Sequence, residues 1–327
     1  MRKRVLLYAL SLFFVGGLFV AFVGDSAYAQ ESKTEWEEKY KKWREDSLRI
    51  ARENARKKAE LEKKRIENKK RSLYNDAKRQ YSYRNYTAAI KLLNEALSID
   101  STFVKALYLR GLSYQKSRKP ELAINDYKAA LRHDPKYAPA YFALGSLLTR
   151  LGRYQQAIDN YKAAIEADPK SYKSYYQMAV VYRKMNKPNL AIDALKKATE
   201  IRPNYFKAFY MLGDLYAKQG QLRNAIAALE KAAELKPKDA PTLYLLASTY
   251  NRMQNYAKAL EVARRGLQLN NREWDSHLAW EAGIAAKGVG KFQTAITYFQ
   301  RASKNSSYKE AADFEIKQLQ REARKSE

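Results

Sequence analysis

The chain of 327 residues has no cysteine, and glycine (12) and proline (8) are scarce. Without cysteine there can be no zinc ribbon, disulfide scaffold, thiol enzyme or Cys-ligated iron–sulfur cluster, and no lipoprotein anchor. Scarce glycine and proline exclude collagen-like and Pro/Gly-rich disordered chains, while a hydrophobic content of 46% is ample for a core. Acidic residues are also in deficit. Against 62 Lys+Arg stand 35 Asp+Glu, a formal net charge of +27 that favours acidic partners: nucleic acid, anionic lipid or acidic protein. Length suggests about two domains, an estimate that internal repeats would overturn.

One long uncharged run is present, at residues 5–24, preceded by Arg2, Lys3 and Arg4 and followed by Ala27-Tyr28-Ala29. A basic n-region, an apolar stretch and a small-x-small site are the parts of a cleaved signal peptide, so residues 1–29 are predicted to be removed and the mature chain to start at Gln30. The run also reaches the ~20 residues that span a bilayer, which leaves an uncleaved anchor as the alternative. Both place the rest of the chain outside the cytoplasm, in the periplasm or cell envelope, by the positive-inside rule. A cysteine-free exported chain fits a bacterial envelope.

Residues 30–69 contain neither Gly nor Pro, and residues 30–71 carry 16 basic and 10 acidic side chains. Within residues 30–69 six glutamates have a base four positions later: Glu35/Lys39, Glu37/Lys41, Glu38/Lys42, Glu45/Arg49, Glu53/Lys57 and Glu60/Lys64. This is the orientation that supports an exposed helix, at about 0.2–0.5 kcal/mol per pair. An extended charged helix or spacer is predicted. Its apolar residues keep no clean heptad, so a coiled coil is not supported. Trp36, Tyr40 and Trp43 form one aromatic stripe, expected to pack on the first repeat or a partner helix, with a membrane interface as the other reading.

From Lys70 the chain repeats every 34 residues. Pro135, Pro169, Pro203 and Pro237 keep that spacing, as do Ala89, Ala123, Ala157, Ala191, Ala225 and Ala259, and Ala96, Ala130, Ala164, Ala198 and Ala232. Within one unit the pattern reads Tyr141, Leu144, Gly145, Leu148, Ala157, Tyr161, Ala164, Pro169. This resembles the tetratricopeptide repeat family. The resemblance implies an all-α, right-handed superhelical α-solenoid of about seven helix-turn-helix repeats. The units are 70–103, 104–137, 138–171, 172–205, 206–239, 240–273 and, after a two-residue insertion, 276–309. A capping helix and tail are predicted over 310–327, with Phe314, Ile316, Leu319 and Ala323 toward one side. Small residues at positions 8, 20 and 27 of each unit mark close helix crossings, large ones at 4, 7, 11 and 24 fill between them, and the Pro at 32 ends the second helix.

In the family the first helix of each repeat lines a concave groove through positions 2, 5, 9, 12 and 13. Position 5 is aromatic throughout: Tyr74, Tyr108, Phe142, Tyr176, Tyr210, Tyr244 and Trp280. The other groove positions hold twelve bases, Arg71, Lys78, Lys105, Lys116, Arg150, Lys173, Arg183, Lys184, Lys207, Lys218, Arg252 and Lys287, against one acid, Asp214. A basic groove with an aromatic ladder suits an extended acidic peptide. Tyr at position 5 and Lys at position 13 are favoured by the family generally, so the excess of bases at positions 2, 9 and 12 carries the functional reading. The family's carboxylate clamp is absent, since position 5 is aromatic and position 9 has no Asn.

Catalysis has little support. His133 and His277 fall in different repeats; His133 stands near a helix end, and His277 has no Asp or Glu placed beside it. The stretch 288–292 lacks phosphate-loop spacing and is read as the turn between two helices. No cofactor, metal or nucleic acid is expected. The predicted function is a non-enzymatic envelope scaffold that binds a protein or an acidic peptide, with possible membrane proximity through the N-terminal segment; the alternative is an electrostatic binder of anionic lipid or polymer.

Overall fold

Alanine-rich, proline-punctuated units with apolar residues at helical spacing can bury their stripes only by pairing helices and stacking the pairs. The computed structural model describes residues 27–325, with side chains from 34 to 322. Among the described residues there are fifteen helices and no strand, an α-solenoid arrangement. The hydrophobic run at residues 5–24 lies outside the described residues. No helix among the described residues is long and apolar enough to cross a membrane. The chain divides into two compact units, Met1–Asn75 and Asp76–Glu327, within the first helix, α1 (Ala27–Ser82).

In the first unit α1 is an exposed, charged helix. Lys39 reaches Glu35 at 2.6 Å, and Lys57 and Lys64 reach Glu53 and Glu60 at 2.7 Å, whereas Arg49 turns to Asp46 rather than to Glu45. Trp36, Tyr40 and Trp43 are all exposed and stack on one another, with centroids 5.3 and 5.9 Å apart. The stripe is self-stacked rather than covered.

The second unit holds the helix pairs. They are α3 (Val104–Lys116) with α4 (Pro120–His133), α5 (Ala138–Arg150) with α6 (Tyr154–Ala167), α7 (Tyr172–Lys184) with α8 (Pro188–Ile201), and α9 (Phe206–Lys218) with α10 (Leu222–Leu235). Then follow α11 (Ala240–Arg252) with α12 (Tyr256–Leu267), and α13 (Asp275–Gly288) with α14 (Phe292–Ala302). Before them comes α2 (Tyr86–Ile99), and after them α15 (Ser306–Lys325). The alanines at positions 20 and 27 are buried without exception. Position 8 meets position 24 so closely that a Cβ on Gly111, Gly145 or Gly283 would lie 2.6, 2.9 or 2.6 Å from the ring of Tyr127, Tyr161 or Phe299. Gly266, which stands at position 27 where the other units have Ala, is a compensation: its missing Cβ leaves room for Leu278, and a methyl there would sit 2.6 Å away.

The turn between the two helices of every unit is left-handed at position 15. Arg84, Arg118, Gly152, Asn186, Gly220, Gln254 and Gly290 have φ of 62, 58, 75, 55, 74, 60 and 75°. Side chains other than Gly and Asn pay for that conformation by about 1–2 kcal/mol. Gln254→Gly, exposed and in the same turn, is therefore expected to raise unfolding free energy by about 0.5–1 kcal/mol, glycine's extra chain entropy offsetting part of the gain. Urea denaturation checks it, and an unchanged or lower midpoint would contradict it.

Between units the cap residue is extended, as a following proline requires: Asp134 (φ −137°, ψ 92°) and Asp168 (φ −140°, ψ 91°) precede Pro135 and Pro169. Asp100 adopts the same shape (φ −145°, ψ 96°) before Ser101, because its carboxylate accepts the Thr102 N–H at 3.0 Å. The aspartate turn does this work as well as the proline does. At the C-terminus α15 begins at Ser306, not near residue 310, and its buried residues are Ala312 and Leu319 with Ile316 half-buried. Phe314 is 60% exposed, because it lies off the face that those three spacings define; the Ala323 side chain lies outside the description.

Candidate ligand-binding face

First helices of successive units meet directly at α3–α5, α5–α7, α9–α11 and α11–α13, and Arg183 of α7 reaches Asp214 of α9 at 3.9 Å, so they line one side of the second unit. On it the position-5 rings are half-buried and packed. Tyr108 lies 6.0 Å from Tyr127 and 5.5 Å from Tyr137, Phe142 lies 5.9 Å from Tyr161, and Tyr176 lies 5.2 Å from Tyr205. Tyr210 stacks on Phe206 at 6.2 Å, Tyr244 packs on Trp274 at 5.4 Å, and Trp280 on Phe299 at 5.2 Å. Burial raises the Tyr176 and Tyr210 phenols above their ordinary range, with Asp214 adding to the second. These rings are thus partly structural and offer one side to solvent. Tyr74 belongs to the first unit and is half-buried there.

The cations divide into two groups. Lys78, Lys105, Lys116, Arg150 and Lys207 are exposed and have no hydrogen bond or ion pair among the described residues. The others are engaged, Arg71 with Glu67 of its own helix at 2.9 Å. Lys218 and Arg183 reach Asp214 at 2.8 and 3.9 Å; Arg252 donates to the Ala217 carbonyl at 2.8 Å; Lys287 is held by Glu315 of α15 at 2.7 Å. Lys173 and Lys184 lie 5.9 Å from the ring centres of Tyr172 and Tyr154. The sequence placed all twelve bases in one set; Lys218 meets Asp214 one turn away on its own helix, whereas Arg183, Lys184, Arg252 and Lys287 reach partners 28 or more residues away, which spacing does not show.

At the α11–α13 seam the structure adds residues that the groove positions alone did not single out. Glu281 is 5% exposed, and Asn251, 8% exposed, donates from Nδ2 to its carboxylate at 2.7 Å and to its backbone carbonyl at 3.0 Å. His277 does have an acid one turn away, Glu281 on the same side of α13, contrary to the sequence reading, and it is ringed by Tyr244, Trp274 and Tyr308 at 5.2–5.6 Å. Burial raises the Glu281 carboxyl above its ordinary range, with the Asn251 and Ser248 hydrogen bonds opposing. The Tyr308 phenol is pushed up to about 12, by burial first and then by Tyr244 and Glu281. The available signal was an acid at position 6, where no other unit has one.

A raised carboxyl binds its proton more tightly folded than unfolded. It therefore favours the fold at low pH, and that contribution is lost as pH rises through the folded value. Glu281→Gln keeps an acceptor for Asn251 without the charge, so at neutral pH the variant is expected to melt above the parent, and the difference to shrink as pH falls toward the carboxylate range. Thermal melts at neutral and acid pH check this; a variant that melts lower at neutral pH contradicts it. His133 is exposed in the last turn of α4, a favourable place for positive charge. The 288–292 stretch is the α13–α14 turn. No group of His, Asp and Glu that could hold a metal occurs among the described residues.

Models of the tetratricopeptide-repeat families match residues 108–172, 160–193, 206–239 and 240–273, each described as tetratricopeptide repeat, and one described as TPR repeat matches 181–220. No enzyme family is among these matches. A comparison with curated proteins finds no match. Among solved structures the chain is similar to the C-terminal part of a TPR repeat-containing protein of Cytophaga hutchinsonii: 19% identity over 74% of this chain and 99% of that one, TM-score 0.62. It is similar also to pilF of Pseudomonas aeruginosa, at 19% identity over 64% and 96% with TM-score 0.55. A tetratricopeptide repeat protein of Parabacteroides merdae matches at 17% identity over 77% and 99%, TM-score 0.51. Repeated helix pairs with small residues at their crossings, and family models that follow one another from residue 108 to 273, show that this chain carries tetratricopeptide-repeat domains over those residues.

Proposed function

We propose that the chain is an exported, non-enzymatic interaction scaffold whose first-helix face holds an extended acidic peptide or an acidic segment of a partner protein. One observation carries this reading. The exposed cations Lys105, Lys116, Arg150 and Lys207 have no partner of their own, while Asp214, the one acid at the groove positions, is already held by Arg183 and Lys218. Along α3 to α9 a carboxylate-bearing ligand therefore meets spare donors and no spare acid at the groove positions, and its apolar side chains meet the open sides of Phe142, Tyr176 and Tyr210.

A labelled peptide of alternating Glu and Leu is the probe. Reversing Arg150 and Lys207 to Glu together is expected to weaken its binding about tenfold or more, since each reversal replaces an attraction with a repulsion and tenfold is 1.4 kcal/mol. Both side chains are exposed, so helicity should not change. Equal affinity of parent and variant for the peptide would sink the proposal. Binding of any polyanion, with a steep fall in salt and no effect of the reversals, would favour the purely electrostatic alternative. Alanine at Tyr176 or Tyr210 is a poorer test, because both rings are packed. Export rests on Arg2, Lys3, Arg4, the uncharged residues 5–24 and Ala27-Tyr28-Ala29. N-terminal sequencing of envelope-derived protein is expected to start at Gln30; an intact residue 1 in the membrane fraction would mean an anchor instead.

A further inference from the structure

We infer that the α11–α13 seam is a subsite for a basic side chain, an arginine guanidinium or a lysine ammonium, of the chain bound on this face. The inference rests on the proposed peptide-binding role and adds a polarity to it. Along α11, Tyr244, Ser248 and Asn251 are spaced by four and three and share one side; along α13, His277 and Glu281 are spaced by four and share another. Between them stands a carboxyl that is 5% exposed. The Asn251 amide is oriented by two acceptors, both on Glu281, at 2.7 and 3.0 Å, which leaves its Oδ1 buried and without a partner. Four aromatic rings wall the seam: Tyr244 and Trp274 at 5.4 Å, and Trp280 stacked on Tyr308 at 5.3 Å.

A carboxylate, a spare amide oxygen and electron-rich ring faces are acceptors, the opposite of the donors that stand along α3 to α9. A guanidinium fits this chemistry best, because its N–H fork can serve a carboxylate and an amide oxygen while its plane lies on a ring. Among the described residues no Lys or Arg of the chain forms an ion pair with Glu281 or lies over these four rings. An acidic segment bound to the cationic rows with one basic residue at this end would have a single favoured direction.

The test uses the full chain labelled with ¹⁵N, whose indole N–H signals are assigned by Trp→Phe changes, and titrations with N-acetyl-arginine amide, N-acetyl-lysine amide and N-acetyl-norleucine amide. Saturable shifts of the Trp274 and Trp280 signals are expected with arginine, weaker ones with lysine and none with norleucine. Glu281→Gln should weaken the arginine effect about tenfold, a 1.4 kcal/mol change, while its signals stay dispersed as in the parent. Equal shifts with norleucine, an unchanged affinity in Glu281→Gln, or no saturable shift at tens of millimolar would each overturn the subsite. If these probes behave as expected and the Glu/Leu peptide does not bind, the acidic-peptide role fails and the subsite stands; the reverse result removes only the subsite.

Discussion

Tyr161→Ala is expected to cost about 3–5 kcal/mol of unfolding free energy. The ring is fully buried between α5 and α6, 5.9 Å from Phe142, and lies under Gly145, which has no Cβ to occupy its space. Removing it opens a cavity that two rigid helices cannot close, and the hydroxyl contact with Thr149 at 3.3 Å is lost as well. Tyr161→Phe keeps the volume and should cost only about 1 kcal/mol, that of the hydroxyl contact. Because stacked repeats depend on their neighbours, hydrogen exchange should show α5 and α6 losing protection before the ends of the array. A urea midpoint shifted no more by alanine than by phenylalanine would mean that the site collapses and that the packing argument is wrong.

Asp126→Ala is expected to cost about 3 kcal/mol, toward the lower end of what breaking a buried pair costs. Arg110 donates to Asp126 through Nε and Nη2 at 2.8 and 2.7 Å, and to Asn94 at 2.8 Å; the two charged side chains are only 22% and 8% exposed. Alanine strands the guanidinium at position 7, where the third to sixth units place Leu144, Met178, Leu212 and Leu246. The double change Arg110→Leu with Asp126→Ala reproduces the pair that the fifth unit uses, Leu212 and Ala228, and should restore most of the loss. A double-mutant cycle by denaturation measures the coupling. If the double variant is no more stable than Asp126→Ala alone, the pair is not the interchangeable core element described.

Much of the architecture was legible because each feature recurs at a constant offset. Alanines 34 residues apart mark crossings, and they are buried wherever they occur. The left-handed turn at position 15 was legible only in part: Gly152, Gly220 and Gly290 announce it, whereas Arg84, Arg118 and Gln254 adopt the same geometry without a glycine's signature. Asp100 shows the same limit from the other side, since its turn forms without the proline that marks the later units. On α15 the apolar residues were visible but their side was not. Leu319 is buried and Phe314 exposed, a difference that depends on where the neighbouring helix passes.

The candidate face divides in the same way. Its aromatic row and its excess of bases stand in the sequence at regular spacing, so the order of helices followed from periodicity, and the residues facing one side from the resemblance to the family. Spacing could not say which cations keep a free charge. Lys287 is taken by Glu315 and Arg183 reaches Asp214 from the neighbouring unit, while Asn251 reaches Glu281 across a seam of 30 residues. The physical reason is range. Helix pairing arises from contacts within a unit and between adjacent units, repeated at one fixed offset. The partner of a charge is decided by a few ångströms between side chains on different helices, and only the stacked tertiary structure sets those distances.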